Sequence, residues 1–360
     1  MRKRLTIAIV YNEPTVETKT GRKFISEAGV LQEGSKLIIP HAEVQSDLSE
    51  VGVLQECEDI ARAIQALGYK SVLFNVDDDL ARFVNFLKDE HPDAIFNLCE
   101  SVGNESIHEM HAVGIFELMG IPYTGSDPLT LGIALNKCRV KEILSYYGLP
   151  TPRFQLMKSP VRITLDEGLQ YPLIVKPSHE DASIGIDSNS IVSTQEELKK
   201  RVRFIFRQFD QPALVEEYID GRELNVAILG NKKPTVLPIS EIDMSTLPNQ
   251  YHRIISYNAK WMKGTAEYEH TKGVCPAQLP PALETEIKEM ALRAYQIIGC
   301  RDYARIDFRL SKDHKPYILE VNPNPDISDD AGFARSGRTY GYSFDQLVGK
   351  IIESALERIP

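Results

Sequence analysis

Two neighbouring segments near the carboxyl end decide the fold: Tyr303–Leu310 (YARIDFRL) and Leu319–Pro325 (LEVNPNP). Asp307 interrupts an apolar strand pattern, and Glu320 and Asn322 lie two residues apart at the end of the next strand, so their side chains share one face. If the strands pair, three oxygen-bearing side chains converge, which suits Mg²⁺ bound to nucleotide phosphates. Ordinary polar residues on a hairpin are the alternative, although an acidic residue in an apolar strand costs stability unless it is paired.

Upstream of these segments, strand patterns alternate with helix patterns. Apolar runs at Leu5–Tyr11, Ser71–Val76 and Ala94–Leu98 alternate with helical spacing at Val51–Leu67, Leu80–Lys88 and Ile107–Met119. This alternation predicts a parallel sheet with right-handed crossovers. We therefore predict one α/β domain over residues 1–125, in which Glu13–Gln45 forms a long loop without assigned structure.

The rest of the chain has a mixed pattern, which predicts an α+β architecture. We predict helices at Leu129–Tyr147, Thr194–Phe206, Leu283–Ile298 and Phe344–Arg358, and strands at Phe154–Met157, Leu173–Lys176, Ala213–Tyr218, Asn225–Leu229 and Thr235–Ile242. The stretch Leu247–Leu279 is long and irregular, and loops of this length within a folded domain often cover active sites.

Composition excludes several classes of protein. The chain has 360 residues, which favours two or three domains, and its net charge of −10 argues against nucleic-acid binding. The five scattered cysteines form no CxxC pair, so we expect reduced thiols in a cytoplasmic protein rather than a zinc site. No apolar stretch approaches the roughly 18 residues of a membrane span, and we expect neither a membrane nor a nucleic-acid partner.

Three further clusters carry groups suited to nucleotide binding. Lys176 ends a buried strand and precedes a loop of small residues, whose backbone N–H groups cradle phosphates in such sites. Lys137 lies one turn into its predicted helix. An apolar strand ends in a hinge at Glu216–Ile219, with carboxylates there and at Glu223. The backbone of such a hinge suits an adenine edge, and a carboxylate suits ribose hydroxyls. Taken singly, each has an ordinary alternative: a lysine reaching solvent, a surface helix lysine, or a charged strand end.

In their fixed order, these clusters resemble the D-alanine–D-alanine ligase branch of the ATP-grasp superfamily, from about residue 95 onward. The segments that carry the resemblance are Glu117–Ser126, Asn136–Lys137, Gly148–Pro152, Ile174–Ser178, Leu214–Ile219, Gly221–Val226, Tyr303–Phe308 and Leu319–Pro325. The resemblance implies an ATP-grasp fold with a Rossmann-like domain over residues 1–125, a central domain over 126–218 and a C-terminal domain over 219–360. A mobile loop is implied at about residues 247–279.

The resemblance also implies a role for each matching residue. The Mg²⁺ ligands are Asp307, Glu320 and Asn322, for two ions, with Mn²⁺ as an alternative metal. The catalytic residues are Arg305, which stabilises charge on the phosphoryl group and the tetrahedral intermediate, Lys176, and Lys260 of the mobile loop. The residues that bind ATP are Lys137, Lys176, Ser183, Glu216, Tyr218, Ile219, Glu223 and Leu319.

The chain departs from the family pattern where amino-acid substrates bind. The first-domain motif is absent from Asn12–Lys23, and Leu98–Glu105 replaces the HGxxGEDG segment. Ala182 stands for a serine, Trp261 for a loop tyrosine and Asp326 for a glycine. We therefore predict the same activation chemistry on a different substrate, bound by Glu100, Trp261, Asp326, Ser328 and Arg335.

The resulting prediction is an ATP-dependent carboxylate–amine ligase. It forms an amide or peptide bond through an acyl phosphate, releases ADP and phosphate, and uses small amino-acid or peptide-like substrates. The alternatives are a nucleotide-binding regulatory protein without catalysis, a true D-alanine–D-alanine ligase, and a phosphotransfer enzyme that stops before ligation. A homodimer is common in the family and is the expected assembly.

Overall fold

The computed structural model describes residues 4–13, 15–18, 21–25, 31–33, 36–38, 52–77, 79–103 and 105–358. The chain divides into two compact units. The first unit comprises Met1–Pro128, Ile327–Asp329 and Tyr342–Pro360, and the second comprises Leu129–Asp326 and Asp330–Gly341. The division into three domains at residues 125 and 218 stays a prediction.

The first unit contains the predicted parallel sheet. Its elements up to residue 118 are β1 (Thr6–Tyr11), β2 (Thr15–Thr18), β3 (Gly21–Ile25), β4 (Leu31–Glu33), β5 (Lys36–Ile38), α1 (Val53–Ala66), β6 (Lys70–Asn75), α2 (Leu80–Glu90), β7 (Ala94–Leu98) and α3 (Glu109–Leu118). Strands β6, β1 and β7 pair in parallel in that order. The apolar run of β1 is buried, as expected for a central strand covered on both faces. The predicted strands and helices of this sheet are confirmed to within a few residues.

The prediction of a loop over Glu13–Gln45 is wrong for part of that stretch. Strands β2 to β5 pair in sequence order as a small antiparallel sheet. Strands of three to five residues are too short to show a clear period-two pattern, so sequence periodicity did not indicate them. The other residues between 14 and 45 lie outside the described part of the chain.

The second unit consists of two antiparallel sheets with helices packed on them. Its elements are α4 (Pro128–Leu135), α5 (Lys137–Tyr146), β8 (Phe154–Met157), β9 (Leu173–Pro177), β10 (Ile191–Val192), α6 (Gln195–Phe209), β11 (Ala213–Glu217), β12 (Gly221–Leu229), β13 (Thr235–Val236), β14 (Ser240–Asp243), α7 (Tyr257–Trp261), α8 (Ala266–Glu269), β15 (Lys272–Val274), α9 (Pro281–Ile298), β16 (Tyr303–Ser311), β17 (Pro316–Asn322) and α10 (Gly332–Tyr340). The smaller sheet has the order β10-β9-β11-β8. The larger has the order β15-β14-β12-β16-β17, with β13 beside β12.

Each sheet of the second unit has its own apolar core. Helix α6 packs Leu198, Val202 and Ile205 among the buried residues of the smaller sheet. Helices α5 and α9 pack on β12, β16 and β17 of the larger sheet. Since both sheets are backed by helices, the polar residues at the strand ends are positioned by rigid elements.

Three predicted elements of the second unit differ in the structure. The helix predicted over Leu129–Tyr147 is two helices, because the Asn136 side chain caps α5 by accepting the backbone N–H of Arg139 at 3.1 Å. The strand predicted over Thr235–Ile242 is divided into β13 and β14, with Pro238, which has no N–H for a ladder, between them. The irregular stretch contains α7, α8 and β15, and α10 was not predicted.

The last helix, α11 (Phe344–Leu356), belongs to the first unit, where it packs against α1. Gly349 permits this approach, because a Cβ there would lie 3.2 Å from the Cδ1 atom of Leu67. The predicted helix is confirmed. None of the helices in the described part of the chain is long and apolar enough to cross a membrane.

Candidate functional site

Strands β16 and β17 bring the three predicted metal ligands together. Asp307 lies opposite Glu320 and Arg305 lies opposite Asn322, with an irregular register between Asp307 and Phe308 that leaves Leu319 unpaired. Residues opposite each other in an antiparallel pair share a face, so the two carboxylates and the amide point to the same side. A bulge of this kind re-aims side chains and is common beside active sites.

The Asp307 carboxylate is bound on both oxygens. Arg305 donates from Nε to Oδ1 and from Nη2 to Oδ2, both at 2.8 Å. Asn225 of β12 donates to Oδ1 at 2.7 Å, and Asn322 donates to Oδ2 at 2.9 Å. Four N–H donors therefore hold this buried carboxylate, and a bidentate arginine fixes its plane.

Lys137 lies in the first turn of α5, where the Asn136 cap positions it. Its Nζ atom is 2.6 Å from Asp181 Oδ1 and 3.5 Å from Glu320 Oε2. Burial alone would lower the pKa of this buried ammonium, but Asp181 and then Glu320 raise the pKa above its ordinary value. Conversely, burial raises the pKa of Glu320, and the cations Lys137, Lys176, Lys260 and Arg305 outweigh burial and hold it far below its ordinary range. Both groups are charged at neutral pH.

Lys176 shares a buried carboxylate with a lysine that was not predicted. The Nζ of Lys176 lies 3.1 Å and that of Lys141 3.2 Å from the same atom, Oε1 of Glu216. Burial raises the pKa of Glu216, but Lys141 and Lys176 outweigh it and lower the pKa below the ordinary value. Lys141 follows Lys137 by four residues and so lies on the same face of α5. This four-residue spacing is the feature of the sequence that indicates Lys141.

Glu223 and the hinge after β11 are joined by Arg309, which was not predicted either. Arg309 donates from Nη1 to Glu223 Oε2 at 3.0 Å and from Nε to the carbonyl of Ile219 at 3.1 Å. Its guanidinium also lies 5.9 Å from the ring centre of Tyr218. Burial raises the pKa of Glu223, and Arg309 opposes this effect. Because Arg305, Asp307 and Arg309 alternate along β16, period two places all three on one face.

The loop after β9 contacts helix α7 of the irregular stretch. Ala182 and Ser183 have left-handed backbone angles, with φ of 51° and 63°. The Trp261 indole N–H donates to the carbonyl of Ala182 at 3.1 Å, and the backbone N–H of Tyr257 donates to Ile186 at 2.9 Å. The helix that carries Lys260 is therefore fastened to the loop that follows Lys176.

Arg335 of α10 lies on the larger sheet and is held by neutral groups. It donates from Nη1 to Ser240 Oγ at 2.8 Å and from Nη2 to the carbonyl of Asp330 at 2.9 Å. Its guanidinium covers Gly273 of β15, where a Cβ would lie 1.9 Å from the guanidinium carbon. Burial is the main cause that lowers the pKa of Arg335. Within the described part of the chain, Arg335 forms no ion pair.

Family comparison identifies the kind of protein that this site belongs to. A family model described as the D-ala D-ala ligase C-terminus matches residues 142–353. The chain belongs to the D-alanine–D-alanine ligase family. The matched range includes every site residue described above except Lys137 and Lys141, and it extends into α11.

Curated relatives extend the similarity to most of the chain. An uncharacterized protein, y4sG, of Sinorhizobium fredii is 33% identical over 306 residues, which cover 84% of this chain and 87% of the relative. A D-alanine–D-alanine ligase of Carboxydothermus hydrogenoformans is 33% identical over 307 residues, which cover 83% of this chain and 91% of the relative.

Solved structures show the same fold. The D-alanine–D-alanine ligase of Bacillus anthracis complexed with ATP matches with a TM-score of 0.70 and 22% identity, over 98% of each chain. VanG D-Ala:D-Ser ligase of Enterococcus faecalis matches with a TM-score of 0.69 and 20% identity, over 98% of this chain and all of that chain (100%). The predicted α/β ATP-grasp fold is confirmed, and the enzyme is an ATP-dependent carboxylate–amine ligase.

The remaining predicted substrate residues belong to different elements of this ligase. Trp261 is on α7, and Asp326 is exposed after β17. Glu100 and Ser328 belong to the first unit, where the backbone N–H of Glu100 donates to Asn12 Oδ1 at 2.8 Å. The structure therefore groups the predicted ATP and metal residues of the second unit, and the substrate roles of these four residues stay predictions.

Proposed function

We propose that this enzyme uses ATP and Mg²⁺ to phosphorylate a carboxylate and then joins the acyl group to an amine that itself carries a carboxylate. The observation that carries the proposal is the convergence of Asp307 and Glu320 with Lys137, which lies 3.5 Å from Glu320. Two anions and several cations, held on strands and helices, suit the stabilisation of a transferred phosphoryl group.

The residues present fit a hard divalent cation. Asp307 and Glu320 supply two carboxylates, and Asn322 directs its amide N–H groups at them, which leaves the amide oxygen as the third ligand atom. Among the described residues, no cluster of three His, Cys, Asp or Glu side chains offers another metal site. Mg²⁺, as two ions or replaced by Mn²⁺, would neutralise charge on the nucleotide phosphates when bound there.

In the first step, the substrate carboxylate attacks the γ-phosphorus of ATP, and ADP leaves. Lys137 and Lys176 hold the phosphates, and a phosphate oxygen takes the place of Asp181 at Lys137. Glu216, Tyr218 and Ile219 hold the adenine, and Glu223 accepts ribose hydroxyls; Ser183 and Leu319 line the same nucleotide site. Catalysis in this step is positioning and electrostatic stabilisation.

In the second step, the amine attacks the acyl carbon, and phosphate leaves. Arg305 stabilises the tetrahedral oxyanion, since its guanidinium is fixed on Asp307 beside the reacting groups. The stretch 247–279, with Lys260 and Trp261, closes over the site and excludes water that would hydrolyse the acyl phosphate.

The contacts of Arg335 favour an amine substrate that carries a carboxylate. Among the described residues its hydrogen bonds go to a hydroxyl and a backbone carbonyl, and a guanidinium held in this way can recognise a carboxylate in bidentate fashion. A Cβ on Gly332 of the same helix would lie 3.4 Å from Asn225 Oδ1 and 3.9 Å from Arg335 Nη1. Since Asn225 binds Asp307, a carboxylate on Arg335 would lie close to the reacting groups.

The changed positions Ala182, Trp261 and Asp326 support a substrate pair other than two D-alanines. We propose substrate-binding roles for Glu100 and Ser328 as well. None of the five cysteines forms a disulfide bond, which supports a cytoplasmic location. We also propose small-molecule substrates and a homodimer.

The central test is substitution of the two carboxylates. Asp307→Asn and Glu320→Gln should each abolish ADP release from a mixture of amino acids with Mg·ATP, while circular dichroism and thermal unfolding show a folded protein. Undiminished ADP release by both variants contradicts the metal assignment.

The amine substrate is tested with a panel read by mass spectrometry of the product. Each amino acid is compared with the matched amine that lacks its carboxylate. We expect amide products from amino acids or peptides only. Efficient ligation of the decarboxylated amines rules out the proposed role of Arg335, and a phosphorylated product without an amide favours phosphotransfer alone.

A further inference from the structure

Three charged side chains meet beneath the site where Lys176 is proposed to bind phosphate. Lys141 is fully buried, the Glu216 side chain is 1% exposed, and the Lys176 side chain is 7% exposed. Both ammonium groups approach the same carboxylate oxygen as close ion pairs that are not aligned as hydrogen bonds. The cluster of two lysines and one glutamate therefore carries one net positive charge in a low-dielectric environment.

Lys141 is held in place from its other side. Its Nζ atom donates to Thr151 Oγ1 at 2.8 Å, and the Thr151 hydroxyl donates to the carbonyl of Ile318 at 2.8 Å. Ile318 belongs to β17, two residues before Glu320, and its N–H binds the carbonyl of Pro150 at 2.9 Å. The ammonium is thus fixed between the carboxylate and β17, and its complete burial keeps it from contacting a ligand itself.

This arrangement decides how much of the Lys176 charge is available to a ligand. A carboxylate 3.1 Å from Lys176 and without another cation would neutralise that ammonium, and the pair would attract phosphate weakly. With Lys141 on the same oxygen, one positive charge remains, and Lys176 is the lysine of the two that retains any exposure. Burying a second charged lysine costs stability by itself, and the balance of charge at Glu216 gives this buried lysine a function.

We propose that Lys141 is a positioning residue that acts as the counter-ion of Glu216 and so leaves the charge of Lys176 for the triphosphate of ATP. This inference rests on the proposed function, because it assigns Lys176 to phosphate. A packing role would depend on the Lys141 side chain itself. The proposed role depends on the net charge of the cluster, which can be restored without Lys141.

The experiment measures binding of ATP and of inorganic tripolyphosphate, which has no adenine to contact Glu216. Lys141→Met should weaken binding of both by about tenfold, since it leaves the cluster neutral. The double variant Lys141→Met with Glu216→Gln returns the cluster to one positive charge and should recover most of the tripolyphosphate affinity. Lys288→Met, which removes a charge from a half-buried pair with Glu284 on α9, is the matched control for net charge and should bind as the unchanged protein does.

Each outcome is decisive when thermal unfolding shows that the variants are folded. If the unchanged enzyme binds neither ligand, the proposed function fails. If it binds both and Lys141→Met binds equally well, or if the double variant binds tripolyphosphate no better than Lys141→Met, the counter-ion role is overturned. A role in packing alone predicts the last result, because the double variant removes two native side chains.

Discussion

The phosphate end and the Arg335 end of the second unit hold their charges in opposite ways. At the phosphate end, Lys137, Glu320, Asp307 and Arg305 are paired with one another or with Asp181, so the geometry is maintained by internal ion pairs. At the other end, Arg335 is held by a hydroxyl and a carbonyl. Paired charges must exchange partners when a ligand binds, whereas a cation held by neutral groups keeps its charge for the ligand.

This difference separates general chemistry from selectivity. The paired charges lie at positions that match the family pattern, and they suit any carboxylate that ATP activates. The chain departs from that pattern at Trp261 and Asp326. Arg335 is predicted to bind a substrate. We therefore expect substitutions at the phosphate end to reduce turnover, and substitutions at the other end to change which amine is used.

The largest effect is expected at the phosphate end. Arg305→Met should reduce kcat for ADP release by about 10²- to 10³-fold, as removal of one donor to a developing oxyanion does. Steady-state kinetics measures this loss. Arg222→Met is the matched control, since Arg222 forms a similar bidentate pair with Glu241 away from Arg305 and Asp307. This variant should retain kcat. Equal losses in both variants would mean that the effect comes from the sheet and not from the site.

A smaller effect with a different kinetic signature is expected at Arg335. Arg335→Met should raise KM for the amine substrate by about tenfold to a hundredfold, the loss of a charge-assisted carboxylate contact, and should leave KM for ATP unchanged. Arg338→Met removes the same charge from an exposed position on α10 and serves as the control. If Arg338→Met has the larger effect on the amine, the carboxylate site belongs to Arg338 instead.

The contact between α7 and the loop after β9 is tested at Trp261. Trp261→Phe keeps an aromatic ring and removes the N–H that binds the carbonyl of Ala182. A neutral hydrogen bond contributes about 1 kcal/mol, so KM for ATP should rise about fivefold through weaker closure of α7 on the loop. An unchanged KM for ATP, measured at saturating amine, would show that this contact does not hold the segment closed.

The last expected effect is a pH dependence from Lys141. Burial, together with Lys176, lowers the pKa of Lys141 to about 8, and Glu216 opposes this shift; Glu320 also faces the cluster, and Thr151 is its neutral neighbour. Nucleotide affinity should therefore decline as the pH rises through about 8, and this decline should be absent in Lys141→Met.

For Lys141, the free energy of unfolding changes with pH in the opposite direction to the nucleotide affinity. The unfolded lysine has a pKa of 10.5, so between about pH 8 and 10.5 the unfolded chain binds more protons, and the contribution of Lys141 to the free energy of unfolding rises with pH. Denaturant unfolding at pH 7.5 and 9.5 measures this slope. The same slope in Lys141→Met would assign it to another group.

Several features were predictable because local periodicity alone decides them. Alternation along β16 places Asp307 on a defined face, and two-residue spacing puts Glu320 and Asn322 together at the end of β17. The order of these motifs along the sequence is sufficient to indicate the family. The convergence of Asp307 with Glu320 needed only that two consecutive strands form a hairpin, which is the commonest connection between them.

Other features were decided by tertiary structure. The sequence places Lys141 on the face of α5 that carries Lys137, but only the packing of α5 against β8 and β17 makes it a fully buried counter-ion of Glu216. The partners of Arg309 and Arg335 likewise come from other strands and loops. Helical and strand periodicity determine which face a side chain occupies. Its burial, and with it the strength of its electrostatic interactions, depends on which elements pack against that face.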